Sequence, residues 1–338
     1  MTEINKLGII GAGAWGTALA HALARAGRAV TIQAREAEVA DAINTDHRNP
    51  LFLPDVDLDP AIVATTDGAE AARADAVLLA PPAQFMRAVC ESLAAAWTPG
   101  VPAVICAKGI ERQTLALMSE VVAQVLPEAP IAVLSGPTFA REVADGKPAA
   151  VTLAAGEHAL GEVLARAIGT PRFRTYQSDD LIGAQMGGAV KNVLAIACGI
   201  VQGRGLGDNA RAALITRGLG EIVRLGKAKG GRPETLMGLS GLGDLTLTCN
   251  AMQSRNYSLG VALGEGAGLD EVLRGRASVA EGVFTASSVS GLAERLGVDM
   301  PICAAVDRVL NQGADIDDTI AGLLARPFLA EDPMAAGA

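Results

Sequence analysis

Lys191 stands inside an otherwise apolar stretch, residues 181–201 (LIGAQMGGAVKNVLAIACGIV). An ammonium is costly to bury unless it is paired, and low dielectric depresses its pKa, so a lysine placed there is suited to giving and taking a proton near neutral pH. The same pattern fits a lysine whose stem lies along a core helix while its head reaches water. The start of the chain favours chemistry. Residues 11–16 read GAGAWG, after the apolar run 6–10 (KLGII) and before the helix-forming run 17–26 (TALAHALARA). Strand, glycine turn and helix thus come in the order that binds a dinucleotide. Gly11 permits the tight turn, Gly13 lets backbone amides approach a pyrophosphate, and Gly16 lets the helix pack on the strand. Ala14 and Trp15 complete the turn at a helix N-terminus, whose partial positive charge suits phosphate. A proton donor and a hydride carrier are the two halves of carbonyl reduction.

Other residues carry the polar work. The run 29–34 ends at Arg35, which would pair with the 2′-phosphate of NADP, while Glu36 and Glu38 follow closely enough to serve the ribose hydroxyls of NAD. NADP(H) and NAD(H) therefore both stay open. Lys108 follows the run 103–107, and Ser135, Gly136, Pro137 and Thr138 follow the run 131–134. A lysine and a hydroxyl at the ends of successive strands converge on one crevice. Further on, Arg255 and Asn256 offer a guanidinium fork and an amide to a phosphate, with Ser254 as a helix N-cap. The preceding segment 238–249 (GLSGLGDLTLTC) has glycines that imply close backbone approach, and Thr248 lies four residues beyond Asp244, on the same helical face. Asn192 is placed to orient the lysine or a substrate hydroxyl.

These residues need a scaffold, and the hydrophobic pattern predicts one. Strands are expected at 6–10, 29–34, 62–65, 76–80, 103–107, 131–134, 149–155 and 172–176, with a polar helix from Ala37 and a Pro-bearing loop at 49–60. Several are solid apolar runs, as in parallel strands covered on both faces. From about residue 181 strand signals fade and helical stretches take over. The expected fold is α/β, an N-terminal Rossmann-like doubly wound sheet (1–180) followed by an all-helical C-terminal domain (181–329), with a disordered tail at 330–338. A chain of 338 residues with 50% hydrophobic content has enough apolar surface for two cores.

Composition excludes other classes. A net charge of −9 with 3% aromatic residues argues against nucleic-acid binding. No secretory n-region and no uncharged apolar run of bilayer length are present, so no membrane insertion and a cytoplasmic location are expected. The five cysteines (Cys90, Cys106, Cys198, Cys249, Cys303) are widely spaced in apolar runs and read as reduced, buried thiols rather than as a metal site.

The motifs GAGAWGTALA at 11, AKGIE at 107, SGPTFAREV at 135, GGAVKNVLAIACGI at 187, GLSGLGDLTLTC at 238, SRN at 254 and AEG at 280 run nearly end to end. Through them the chain resembles the NAD(P)-dependent glycerol-3-phosphate dehydrogenases. The resemblance implies reversible reduction of dihydroxyacetone phosphate to sn-glycerol 3-phosphate, feeding phospholipid synthesis. It gives Lys191 the role of proton donor and acceptor, and assigns Lys108, Gly136, Thr138, Asp244, Ser254, Arg255 and Asn256 to the substrate. It assigns Trp15, Arg35, Lys108, Ala140, Arg255, Val279 and Glu281 to the dinucleotide. Thr138 stands where the family often has serine, and either hydroxyl donates. Lys108 near Lys191 would depress its pKa and Asp244 would raise it, so these three are the catalytic candidates. A homodimer is expected from the apolar helical half. Two alternatives stand beside this reading: a dehydrogenase of the 6-phosphogluconate or hydroxyisobutyrate type, and a dinucleotide sensor without turnover.

Overall fold

The computed structural model describes residues 3–274 and 281–327. The expected tail at 330–338 and the candidate Val279 lie outside these residues. All eight expected strands form: β1 Lys6–Ile10, β2 Ala29–Gln33, β3 Val63–Thr65, β4 Ala76–Leu79, β5 Ala103–Ile105, β6 Ile131–Ser135, β7 Ala149–Ala155 and β8 Phe173–Ser178. They make one sheet in the order β3-β2-β1-β4-β5-β6-β7-β8. Every residue of β4 and β5 is buried, which is why their sequences are unbroken apolar runs, whereas in the edge strand β8 only Phe173 is buried.

The pairing of β6 with β7 is antiparallel, while every other neighbouring pair is parallel. Apolar runs do not encode strand direction, so the sequence gives no sign of this. Between β6 and β7 the chain forms only the five-residue helix Ala140–Ala144, far from the long crossover helix that commonly joins parallel strands, and β7 starts from the end of the sheet where β6 stopped.

The chain divides into two compact units, one of Met1–Lys108 with Met118–Leu181, the other of Gly109–Leu117 with the chain from Ile182 onward. The nine residues Gly109–Leu117 interrupt the α/β half and group with the helical one. There Ile110 and Leu117 are fully buried in the helical core, and Arg295 donates to the carbonyls of Thr114 (3.0 Å) and Leu115 (3.2 Å).

The helical unit is built around Leu181–Gly203, a 23-residue helix buried from Gly183 to Val201. Its length and hydropathy would suffice to cross a membrane, but its whole apolar window is buried inside the protein, as in a core helix. Glycine lets another segment reach its backbone. A Cβ added at Gly187 would lie 2.4 Å from the Ser240 carbonyl oxygen and 2.7 Å from Gly241 Cα. This close approach seats the π-helical turn Leu239–Gly243, and with it the short helix Asp244–Thr248, against the lysine helix.

Candidate active site

In the α/β unit, the glycine turn leaves β1 where the strand order reverses between β2 and β4, the place at which open α/β sheets bind ligands. Gly11 has φ 105°, and a Cβ there would meet the Ala80 carbonyl carbon at 3.1 Å; a Cβ at Gly16 would strike the Gly11 oxygen at 2.0 Å. Gly13 differs, since a Cβ there would meet nothing within 4 Å. Two glycines thus close the turn on the protein, and the third keeps its outer side open.

The helix Ala14–Arg25 begins at Gly13 with no side-chain cap and no acidic residue in its first turn. Its first amides have no intrahelical acceptors and suit an anion. Trp15, packed at 6.2 Å on Phe173, has a buried Nε1 with no hydrogen-bond partner. An open cradle, an uncapped helix end and an orphaned buried donor fit a dinucleotide. Arg35 is exposed at the end of β2, and its guanidinium lies 2.5 Å from the Glu36 carboxylate. Cation and acid thus occupy the same corner.

At the ends of β5 and β6, Lys108 Nζ donates to the Gly136 carbonyl (2.9 Å), and the Thr138 hydroxyl donates to the same oxygen (3.3 Å). The lysine and the hydroxyl proposed to converge do meet. Gly136 makes this possible, because a Cβ there would lie 2.9 Å from Val151 Cα. Beside it, the Ser135 hydroxyl is buried and without a partner. Ala140 opens the short helix that follows.

In the helical unit, Lys191 is only 6% exposed and Asp244 0%. Lys191 does not reach water along its stem: Nζ donates to Asp244 Oδ1 at 2.5 Å and to the Thr248 hydroxyl at 2.8 Å. Asp244 and Thr248 lie one helical turn apart, so both face the amine. Removing solvent from two charges costs several kcal/mol per ion, and leaving one partner alone costs about 3–5 kcal/mol. A hydrophobic core does not require such a pair, which makes it a candidate for function. Asn192 is buried next to Lys191 in sequence.

Ser254 caps the helix Arg255–Gly264, its hydroxyl accepting from Tyr257 N at 3.2 Å. Arg255, the first residue of that helix, is exposed. Asn256 is buried with its Oδ1 accepting from Gly282 N (3.0 Å), which turns the donor half of its amide elsewhere. Glu281 opens the helix Glu281–Leu296.

All five cysteines are free and buried. Burial pushes the Cys90 thiol up to about 12, and a hydrogen bond donated to Cys198 together with burial raises that of Cys249. Thiols held protonated are poor nucleophiles. Among the described residues no group of three or more His, Cys, Asp or Glu is placed to hold a metal. Asn49, in the loop at 49–60, is 0% exposed. Nothing in its loop sequence marks it, because the partners of its amide nitrogen, Ala12 and Thr17, lie far away in sequence.

A doubly wound dinucleotide unit and a helical unit with a buried lysine–carboxylate pair define the class of nicotinamide-dependent dehydrogenases. Within that class the chain belongs to the NAD-dependent glycerol-3-phosphate dehydrogenase family, whose N-terminal model matches residues 6–160 and whose C-terminal model matches residues 180–321. It is 61% identical over 329 residues to glycerol-3-phosphate dehydrogenase [NAD(P)+] of Rhodospirillum rubrum, covering 97% of this chain and 94% of that one. It is 57% identical to the protein of the same name from Parvibaculum lavamentivorans, covering 97% and 98%. The crystal structure of glycerol-3-phosphate dehydrogenase from Coxiella burnetii superposes with a TM-score of 0.92 at 38% identity, covering 96% and 99%.

Proposed function

We propose that the chain catalyses the reversible NAD(P)H-dependent reduction of dihydroxyacetone phosphate to sn-glycerol 3-phosphate, with Lys191 as general acid and base. The observation that carries this reading is the buried Lys191 amine clasped by Asp244 and Thr248. When bound, the dihydronicotinamide supplies the hydride. Lys191 gives a proton to the carbonyl oxygen as negative charge develops there, and takes it back in the reverse direction. Asp244 keeps the amine charged before transfer and offsets the cost of burying it, while Thr248 fixes its direction. Lys191 is reprotonated from water after each reduction.

The remaining roles follow from donor type. Arg255, Asn256 and Ser254 bind the substrate phosphate at a helix start, Arg255 through its planar fork. Lys108, oriented by the Gly136 carbonyl, bridges substrate and dinucleotide, with Thr138 donating beside it. Gly11, Gly13, Ala14, Trp15 and Gly16 seat the pyrophosphate, and Ala140 and Glu281 are assigned to the dinucleotide by the family resemblance. Arg35 holds a 2′-phosphate once it releases Glu36, so NADPH and NADH are both accepted. Free thiols throughout suit a reducing cytoplasm. Exposed Leu206, Met237 and Leu324 on the helical unit favour a homodimer. The product is a phosphorylated polyol of the kind that glycerophospholipid synthesis consumes.

The test is steady-state oxidation of NADPH and NADH with dihydroxyacetone phosphate and with unphosphorylated dihydroxyacetone. Turnover of the phosphorylated ketone, at least 100-fold better in kcat/KM than the free one, is expected. Cofactor binding without turnover of either would leave a dinucleotide sensor as the surviving reading, and equal turnover of both would remove the phosphate from recognition.

A further inference from the structure

We infer that Asn49 is a positioning residue for the dinucleotide, holding the Ala12 carbonyl so that the next backbone amide faces the pyrophosphate. Its side-chain amide donates to the Ala12 oxygen (2.8 Å) and to the Thr17 hydroxyl (2.8 Å), while its Oδ1 accepts from Phe52 N (3.1 Å). The orientation of this amide is fixed by chemistry, because a backbone carbonyl only accepts and a backbone N–H only donates. Thr17 adds a second donor to the same Ala12 oxygen at 3.2 Å. A carbonyl inside the glycine turn is thus gripped by two buried side chains, one of them 37 residues away in sequence.

The consequence comes from peptide planarity. In a trans peptide the C=O of one residue and the N–H of the next point in opposite directions. Drawing the Ala12 oxygen onto Asn49 and Thr17 therefore turns the Gly13 N–H away from those two side chains, at a residue where a Cβ would meet nothing within 4 Å. That is the direction an incoming pyrophosphate needs, and the uncapped first turn of the helix follows at once. Without the grip, this peptide would be free to rotate, and ordering it would be paid on binding.

The loop bearing Asn49 is itself secured. Leu53 N donates to the Asn49 carbonyl (3.1 Å), Leu53, Val56 and Leu58 are buried, and Asp59 N donates to His21 Nδ1 (2.9 Å) on the dinucleotide helix. Asn49 is therefore a rigid support rather than a loop side chain that happens to lie near the turn.

The inference rests on the reading of the glycine turn as the cofactor site. It is tested by NADPH titration, followed by cofactor fluorescence, on the parent, N49A, N49D and T17V. N49D keeps the acceptor for Phe52 N but sets a carboxylate oxygen against the Ala12 carbonyl. The dissociation constant for NADPH should rise at least tenfold in N49A and N49D, and two- to fivefold in T17V. In N49A, kcat at saturating NADPH and the KM for dihydroxyacetone phosphate should stay within twofold of the parent. A residue that only stabilised the fold would lower the melting temperature and leave the dissociation constant of the folded protein unchanged; that outcome overturns the inference. If both Asn49 variants fail to fold, T17V decides, and an unchanged constant overturns it equally. Failure of the parent to bind NADPH would instead strike at the cofactor site itself.

Discussion

Around Gly13 the polar groups belong to the backbone, beside a position where a Cβ would meet nothing within 4 Å, whereas around Lys191 they belong to side chains and are closed in. The first arrangement suits a ligand that arrives with its own charge, since amides and a helix end attract phosphate without carrying a net charge of their own. The second suits a step in which charge appears and must be met by a group already in place. On the proposed reading the α/β unit binds the cofactor and the helical unit transfers the proton. A substitution on each side should therefore separate binding from turnover.

The largest effect is expected from Lys191. K191A should lower kcat by about 10²–10⁴-fold, the range for loss of a positioned acid, with NADPH affinity within twofold of the parent. Equal losses in cofactor binding and turnover would erase the distinction between the two regions. Because Asp244 would then be a buried carboxylate without its partner, the variant should also be destabilised. Chemical-denaturation curves on the same samples keep that effect apart from the kinetic one.

Next comes Arg255, which belongs to the helical unit yet is exposed and proposed to bind. Loss of a charge-assisted hydrogen bond costs about 1.5–3 kcal/mol, so R255A should lower kcat/KM for dihydroxyacetone phosphate by about 10- to 100-fold. Activity on unphosphorylated dihydroxyacetone should hardly change. If R255A and the parent discriminate the two ketones alike, the phosphate is held elsewhere.

The same contrast governs what the sequence discloses. The glycine turn is legible because Gly11, Gly13 and Gly16 meet backbone constraints that recur at fixed spacing. Lys191 is legible as an anomaly, one charge among apolar residues. Its clasp with Asp244 is not, because the partners lie 53 positions apart and only the fold brings them together. The eight strands are visible as apolar runs, yet the reversed direction of β7 is not, since burial is the same for either direction. Nor is the capture of Gly109–Leu117 by the helical unit, where Ile110 and Leu117 find their core outside the sheet. Asn49 lay in a stretch read as a Pro-bearing loop, and an asparagine in a loop ordinarily serves its own turn. It serves its own turn through Phe52 N and also a turn formed much earlier in the chain.

The smallest effect bears on the binding side. His21 lies on the dinucleotide helix with its Nδ1 accepting from Asp59 N, so the folded protein holds it neutral. Its pKa is lowered, first by burial and then by Arg25, with Asp59 opposing. Since the folded value lies below the unfolded one, the unfolded chain binds the proton more readily. The stability His21 contributes is therefore fully present above about pH 6.5 and is lost as pH falls below that value through the lowered folded pKa. H21N, which keeps an acceptor but does not titrate, should show a shallower loss of melting temperature between pH 7 and 5 than the parent. NADPH affinity should follow the same pattern, because protonation releases the loop that carries Asn49 from the helix. Lys191 has no part in this loop, so kcat at saturating NADPH should show no difference between H21N and the parent over that range. A parent whose kcat falls with acid while H21N resists would mean that the two regions are not separate in function.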